Sequence, residues 1–376
     1  MLLTEDQEMV RDTARRFAAD RLSPKAGERD RTGEFPAEDI AEMGSLGMMG
    51  MLVPEEWEGA MIDHVAYALA LEEIAAGDGA VSTIMSVHNS VGCVPILRFG
   101  SDAQKETFLR PMARGEKLGA FCLTEPQAGS DASALLTRAV RTNAGWKING
   151  TKQFITSGQN ADLAIVFAVT DPDAGKKGIS AFIVPTDTPG YRVASIEKKL
   201  GQRLSDTAQI ALEDVEVPAE NILGDEGNGY RIALSNLEGG RIGIAAQSVG
   251  MARAALDHAV AYARERTSMG RKLMDHQAVA FRLADMATKV EVAHHMVLHA
   301  ACLRDAGRPA LKEASMAKLF ASEMAERVCS DAIQTFGGYG YTADFPVERI
   351  YRDVRVCQIY EGTSDIQRLV IARALA

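Results

Sequence analysis

Cysteine is sparse and poorly placed for cross-links: Cys93, Cys122, Cys302, Cys329 and Cys357 are odd in number, far apart and never spaced Cys-x-x-Cys. That excludes a disulfide framework and a thiolate zinc site, and it predicts a reducing compartment. No Gly-x-Gly-x-x-Gly follows a strand-like run and no Gly-x-x-x-x-Gly-Lys-Ser/Thr occurs, so any nucleotide must be held without a Rossmann fingerprint or a P-loop. Long blocks of one charge are missing too. The 41 basic and 51 acidic residues leave −10 spread along the chain, which argues against a nucleic-acid surface or a polybasic membrane patch. Residues 79–97 lack Asp, Glu, Lys and Arg and nearly match a membrane span in length. Ser82, Thr83, Ser86, His88, Asn89, Ser90 and Pro95 interrupt them, so a helix buried inside the protein is expected and no membrane contact. The chain opens without a basic-then-apolar leader; Thr4-Glu5-Asp6-Gln7 is a capping-box pattern ahead of an amphipathic helix through Val10, Ala14 and Phe17. The expected location is the cytoplasm, or the mitochondrial matrix for a matured form.

A chain of 376 residues is too long for one compact core, so two or three domains are expected. Residues 1–117 are punctuated as helices: Pro24 closes the first, Pro36 opens the second, Gly47 follows its end, and 63–76 form a third. Between 118 and 225 the period changes. Residues 163–170 and 179–184 are short β-rich runs, and Asn143-Ala144-Gly145 and Asn149-Gly150 bracket Trp146-Lys147-Ile148 as hairpin turns would. From 226 to 376, the Ala-, Leu-, Met- and Arg-rich segments 230–266, 276–306 and 309–336 are far longer than strands. The fold class is α+β and multidomain, with a helical N-terminal domain, a middle antiparallel β-barrel-like domain and a C-terminal four-helix bundle.

Against that background five runs carry chemistry. In Ile359-Tyr360-Glu361-Gly362-Thr363-Ser364-Asp365 a carboxylate sits beside two apolar side chains. Loss of water would raise its pKa toward neutrality and make Glu361 a usable general base, and Gly362, with no β-carbon, lets a ligand approach the backbone. Phe336-Gly337-Gly338-Tyr339-Gly340 lies about twenty residues earlier. Phe121 to Asp131 read as a strand ending in Thr124, Pro126, Gly129 and Ser130, which offers donors to a heterocycle or a phosphate, or simply turns the chain. Phe154-Ile155-Thr156-Ser157-Gly158 places an aromatic either in a β core or against a planar cofactor. Arg264 to Arg271 end a helix with basic groups that answer its dipole or meet a phosphate. No metal is expected: Glu291 and His294 have Glu-x-x-His spacing and His295 and His299 share a helix face, but no second such pair exists. The 16 methionines are expected to fill core gaps.

Taken together, in this order and spacing, these motifs resemble the acyl-CoA dehydrogenase family along nearly the whole chain, most closely its short-chain and short-branched-chain members. The resemblance implies FAD, held between the middle domain and the C-terminal bundle. It puts Phe121, Leu123, Thr124, Gly129 and Ser130 along the flavin, Ser130 shared with the CoA arm, and Phe154, Ile155 and Thr156 on the other flank. Arg266, Ser268, Met269 and Gln277 would complete the site of a neighbouring subunit, with Gln334, Thr335, Phe336, Gly337 and Gly338 at its adenine end, which implies a homotetramer. Thr363, Ser364 and Asp365 would return to FAD. Glu238, Gly239, Gly240 and Arg241, with Tyr360 and Gly362, would touch the acyl-CoA.

The implied reaction is α,β-dehydrogenation to a trans-2-enoyl-CoA, with Glu361 taking the α-proton, flavin N5 the β-hydride and an electron transfer flavoprotein the electrons. Family members that draw their base from a helix do so at the position of Gly240, which cannot serve. Family members that take dicarboxylic acyl groups carry an arginine in the helix that closes the acyl pocket; between Asp78 and Arg98 only His88 is basic here, so the resemblance implies an uncharged acyl group, and its short-chain members imply C4 to C5. An oxygen-using acyl-CoA oxidase and a catalytically silent flavin-binding subunit are the alternatives. Two places depart from the family pattern, Glu58-Gly59-Ala60-Met61 and Met269.

Overall fold

Residues 2–376 are described by a computed structural model, the side chains of Leu237 and Glu238 excepted. The first helix, Glu5–Phe17, starts on the expected capping box, with the Gln7 N–H donating to Thr4 Oγ1 at 3.3 Å and the Thr4 N–H to Gln7 Oε1 at 3.0 Å. Pro24 does not close it. A π turn, Ala18–Leu22, carries the helix into Ser23–Thr32, where Pro24 falls in the first turn and its missing N–H breaks nothing; Gly33, at φ 71°, ends the run. Ala37–Ser45 follows Pro36, and Asp63 caps His64–Gly77 by accepting from the Ala66 N–H at 2.6 Å.

The apolar stretch forms one continuous helical rod from Gly79–Val87 through a π turn, His88–Cys93, to Val94–Phe99. By length and composition it could cross a membrane, but 89% of its apolar window is inside the protein. Its interrupting polar groups return their bonds to helix carbonyls: Ser82 Oγ to Gly79 O at 2.7 Å, Ser90 Oγ to Ser86 O at 2.6 Å.

The middle domain is one eight-stranded sheet. Its pairs are mostly antiparallel, but Gly119–Cys122 runs parallel to Leu163–Val169, with Gly119 opposite Leu163. The forty-residue excursion between those strands replaces the tight turn that antiparallel neighbours use. Asn143 and Ala144 make the expected hairpin between Arg138–Thr142 and Gly145–Thr156. Asn149-Gly150 makes no turn: the strand continues, shifted in register, and Gly150 lacks a side chain because one would strike Thr137. A second shift between Lys152 and Ile155 puts Phe154 at φ 57°.

Three long helices, Gly229–Glu265, Gln277–Asp305 and Leu311–Phe336, form the C-terminal body, with Val347–Val354 and Ser364–Leu375 packed on it. Small residues let them approach closely: Ala245, Ala252, Ala255 and Ala259 on the first, Ala314, Ala317, Ala321 and Ala325 on the third, are all buried. Met269 and Gly270, at φ 50° and 78°, turn a two-stranded ribbon in the manner of a type I′ hairpin.

Candidate active site

Glu361 reaches its place through a backbone that few residues adopt. It has φ 54° and Gly362 has φ 90°, so two left-handed residues follow one another just before Thr363 caps the last helix. The reversal sends the carboxylate onto helix Gly229–Glu265 at Gly240, where any β-carbon would collide with Oε2. Glycine in a helix interior costs roughly 1 kcal/mol against alanine. Here its bare backbone makes the niche. The residue as a whole is half-buried, yet Oε2 is shut off from solvent and has no hydrogen-bond partner. Burial pushes the Glu361 carboxyl up to about 7, against the pull of Arg241 and Lys318. The cause of dryness differs from the expected one: Ile359 is 54% exposed, so the water is excluded by the helix walls and not by that neighbour.

Beside Gly240, Gly239 and Ile242 line a cavity of about 170 Å³ together with Tyr67, Ser90, Val94 and Leu97. Gly243, three residues or about 4.5 Å further along the axis, touches the apolar rod closely enough that a β-carbon would lie 2.6 Å from Ser86 Oγ. Past that crossing Tyr360 anchors a saturated polar lattice. Its hydroxyl donates to Gln247 Oε1 at 2.6 Å and lies 3.3 Å from Thr83 Oγ1. Gln247 Nε2 donates to Gly79 O at 2.8 Å, and Thr83 Oγ1 to Gln202 Oε1 at 2.7 Å. His88 is committed elsewhere: Nε2 faces Met112 O at 3.0 Å, Nδ1 accepts from the Gly119 N–H at 3.1 Å, and burial brings it down to about 4, so it is neutral.

At the sheet's edge, Thr124 and Phe154 are neighbours because the Gln153 N–H donates to Thr124 O at 2.8 Å. The Phe154 ring is 62% exposed, so of the two expected fates the structure removes it from the β core, while Ile155 enters it. Phe121 is half-buried, edge-on to Phe167 at 4.9 Å; Leu123 is buried, Thr124 and Thr156 are half-buried, and Gly129 and Ser130 are exposed. Under this loop lies a buried ion pair that the sequence motifs do not announce. Lys152 Nζ lies 2.8 Å from Glu125 Oε1 and 3.3 Å from Leu123 O, and Glu125 also accepts the Leu136 and Thr137 N–H groups at 2.6 and 3.0 Å. Burial pushes Glu125 up, but Lys152 and these donors outweigh it and hold the carboxyl at about 2. The signal was a lysine at an inward-facing strand position.

Arg266, Ser268, Met269, Gln277 and the run Gln334 to Gly338 form a second group. Arg266 follows Gly240 on the same helix by 26 residues, roughly 39 Å along the axis. There Arg266 lies over the Tyr339 ring at 5.5 Å, and Ser268, Met269, Gln277, Gln334, Gly337 and Gly338 are exposed. Thr335 and Phe336 are buried, the latter stacked on Tyr262 at 4.1 Å, so their side chains serve the bundle. Arg241 is buried, with Nη1 3.4 Å from Ser315 Oγ; Gly239 faces open space; the Glu238 side chain lies outside the described residues. Ser364 Oγ is buried without a partner and Asp365 is exposed. His294 bonds Glu72 at 2.8 Å and His295 faces Glu291 at 3.1 Å.

Three family models match in chain order: the acyl-CoA dehydrogenase N-terminal domain over 4–116, the middle domain over 120–215 and the C-terminal domain over 227–376. The chain is 48% identical to the mitochondrial short-chain specific acyl-CoA dehydrogenase of Rattus norvegicus over 98% of its own length and 90% of that protein. It superposes on butyryl-CoA dehydrogenase from Megasphaera elsdenii with a TM-score of 0.98 at 44% identity, covering 100% of this chain and 99% of that one. A chain solved in work on the electron transferring flavoprotein of Acidaminococcus fermentans and flavin-based electron bifurcation gives 0.98 at 47% identity, with the same coverage.

Proposed function

The chain belongs to the acyl-CoA dehydrogenase family, whose members are FAD-dependent enzymes that dehydrogenate acyl-CoA, and from that premise we propose that Glu361 is the base acting on a short, uncharged acyl group. The observation that carries this reading is the unpartnered Oε2 in the Gly240 niche. A carboxylate with one oxygen already stripped of water and hydrogen bonds, and a pKa near neutrality, can take a weakly acidic proton from carbon. The Glu361 N–H is the protein's donor to the thioester oxygen, where charge develops as the proton leaves.

FAD, when bound, supplies the acceptor for the β-hydride. The residues fit it: the exposed Phe154 ring and the Thr124 to Ser130 loop offer a flank and donors, and the orphaned Ser364 hydroxyl lies within the run expected to return to the cofactor. Arg266, Gln277 and Gly337 to Gly338 lie a helix length away from Gly240, so they serve the cofactor of another copy, which supports a homotetramer. An electron transferring flavoprotein, the protein at issue in the Acidaminococcus work, is the proposed electron acceptor.

The contact of Gly243 with Ser86 and the small cavity beside Gly239 support a short acyl group. A C4 or C5 acyl group extends over roughly one helical turn, and the cavity lined by Tyr67, Val94, Leu97, Gly239 and Ile242 supports a group of that size. Across straight-chain substrates kcat/KM is expected to peak at C4 to C5, and a peak at C8 or beyond would refute the short pocket. Neutral His88 supports an uncharged acyl terminus.

Mixing the yellow holoenzyme with butyryl-CoA under argon tests the function itself. The absorbance near the flavin band should bleach within the enzyme's turnover time, and a silent binding subunit would stay yellow. Oxygen added to the bleached enzyme should restore the colour slowly, the flavoprotein acceptor quickly; the reverse order would identify an oxidase.

A further inference from the structure

We infer that Lys318 is a positioning residue for Glu361, holding the turn that aims the carboxylate and supplying positive charge behind it. The inference rests on Glu361 being the base. Along helix Leu311–Phe336 the buried stripe runs Ala314, Ala317, Lys318, Ala321, Ala325, and Lys318 is 0% exposed. A methionine would fill the same volume without losing a solvated ammonium, so a lysine there calls for a function that repays its desolvation.

The geometry supplies one. Lys318 Nζ donates to Gly362 O at 2.7 Å, and Gln367 Nε2 donates to the same oxygen at 2.8 Å and to Glu361 O at 3.2 Å. These three bonds clamp the two consecutive left-handed residues that turn Glu361 toward Gly240. The bonded partner of Lys318 is a carbonyl and not a carboxylate, so its charge is not neutralised by its own contact. The groups facing Glu361 are Arg241 from helix Gly229–Glu265 and Lys318 from Leu311–Phe336, with the Tyr67 phenol of His64–Gly77 also within its field. Around Lys318 lie Cys357, Glu361, Arg241 and Glu323, and burial brings its ammonium down to about 8. Both cations favour ionised Glu361 against burial; removing one leaves the acid harder to ionise.

The experiment uses holoenzyme and two readouts: kcat/KM with butyryl-CoA against pH, and deuterium exchange at the α-carbon of acetyl-CoA, which has no β-carbon to oxidise. In Lys318→Met the acidic limb of both profiles should move up by about one pH unit, with a plateau lowered about tenfold by the loosened turn. Lys318→Gln keeps a donor for Gly362 O but no charge: it should recover much of the plateau while its limb stays shifted. Lys318→Arg should hold the wild-type limb. Limbs unmoved in both Met and Gln variants would overturn the inference, as would a loss of melting temperature as the sole effect. Should the Met variant not fold, the comparison of Gln with wild type decides. If the wild type itself exchanges no α-deuterium, the base assignment fails, independently of Lys318.

Discussion

Glu361→Gln is expected to fold, to bind FAD and butyryl-CoA as the wild type does, and to stay yellow, with flavin bleaching slowed by roughly 10²- to 10⁴-fold. The substitution changes almost nothing but basicity. Oε2 has no hydrogen-bond partner to lose, and an amide has the same shape in the niche beside Gly240. Stability should move the other way from activity. The wild-type carboxyl is raised from 4.5 to about 7, so ionising it penalises the folded state increasingly as pH rises from 4.5 through 7. Glutamine removes that penalty, and above pH 7 the variant should be more stable by up to about 3 kcal/mol, read as a higher melting temperature. The same shift places the acidic limb of the wild-type kcat/KM profile near pH 7, rising with pH as the base ionises. Retained bleaching in the glutamine variant would remove Glu361 from the reaction.

The position of the proposed base is legible in seven consecutive residues; the reason its carboxylate is dry is not. Ile359, its sequence neighbour, points to solvent, and the walls come from Gly240, Arg241 and Lys318, between 43 and 121 positions away in the chain. Local pattern names a group, and burial is a property of what folds onto it. The same division explains Phe154, whose run reads first as core and only second as cofactor flank until a register shift turns its ring outward. Pro24 and Asn149-Gly150 read as stops and are not, because a proline in a helix's first turn and a glycine at a bulge look identical in sequence to true breaks. Long-range helices and the β-rich middle survived because their periodicity is repeated over many residues, and averaging defeats single exceptions. Lys152 and Lys318 carried a readable signal, a cation on an otherwise buried face, which points to a partner without identifying it.

Lys152→Met is the substitution expected to cost the most stability, about 3–5 kcal/mol, because it strands Glu125 as a buried carboxylate. Glu125 would keep the Leu136 and Thr137 N–H donors and Gln127, but lose the one full charge that offsets its desolvation. The effect should depend on pH in a definite sense. In the wild type Glu125 is held at about 2 against 4.5 unfolded, so its contribution is fully present above about pH 4.5 and fades as pH falls toward 2. Without Lys152 that reserve is gone, and acid unfolding should begin at higher pH. Because the pair acts as a unit, Glu125→Gln combined with Lys152→Met should recover more than half of the loss, a coupling that two independent sites would not show. The loop it anchors is the one proposed to flank the flavin, since Lys152 also bonds Leu123 O, one residue before Thr124. FAD release should therefore quicken in the single variant and return toward wild type in the double. A single variant within 1 kcal/mol of wild type in urea unfolding would mean that water reaches Glu125, and that the pair neither holds the loop nor orders the cofactor's edge.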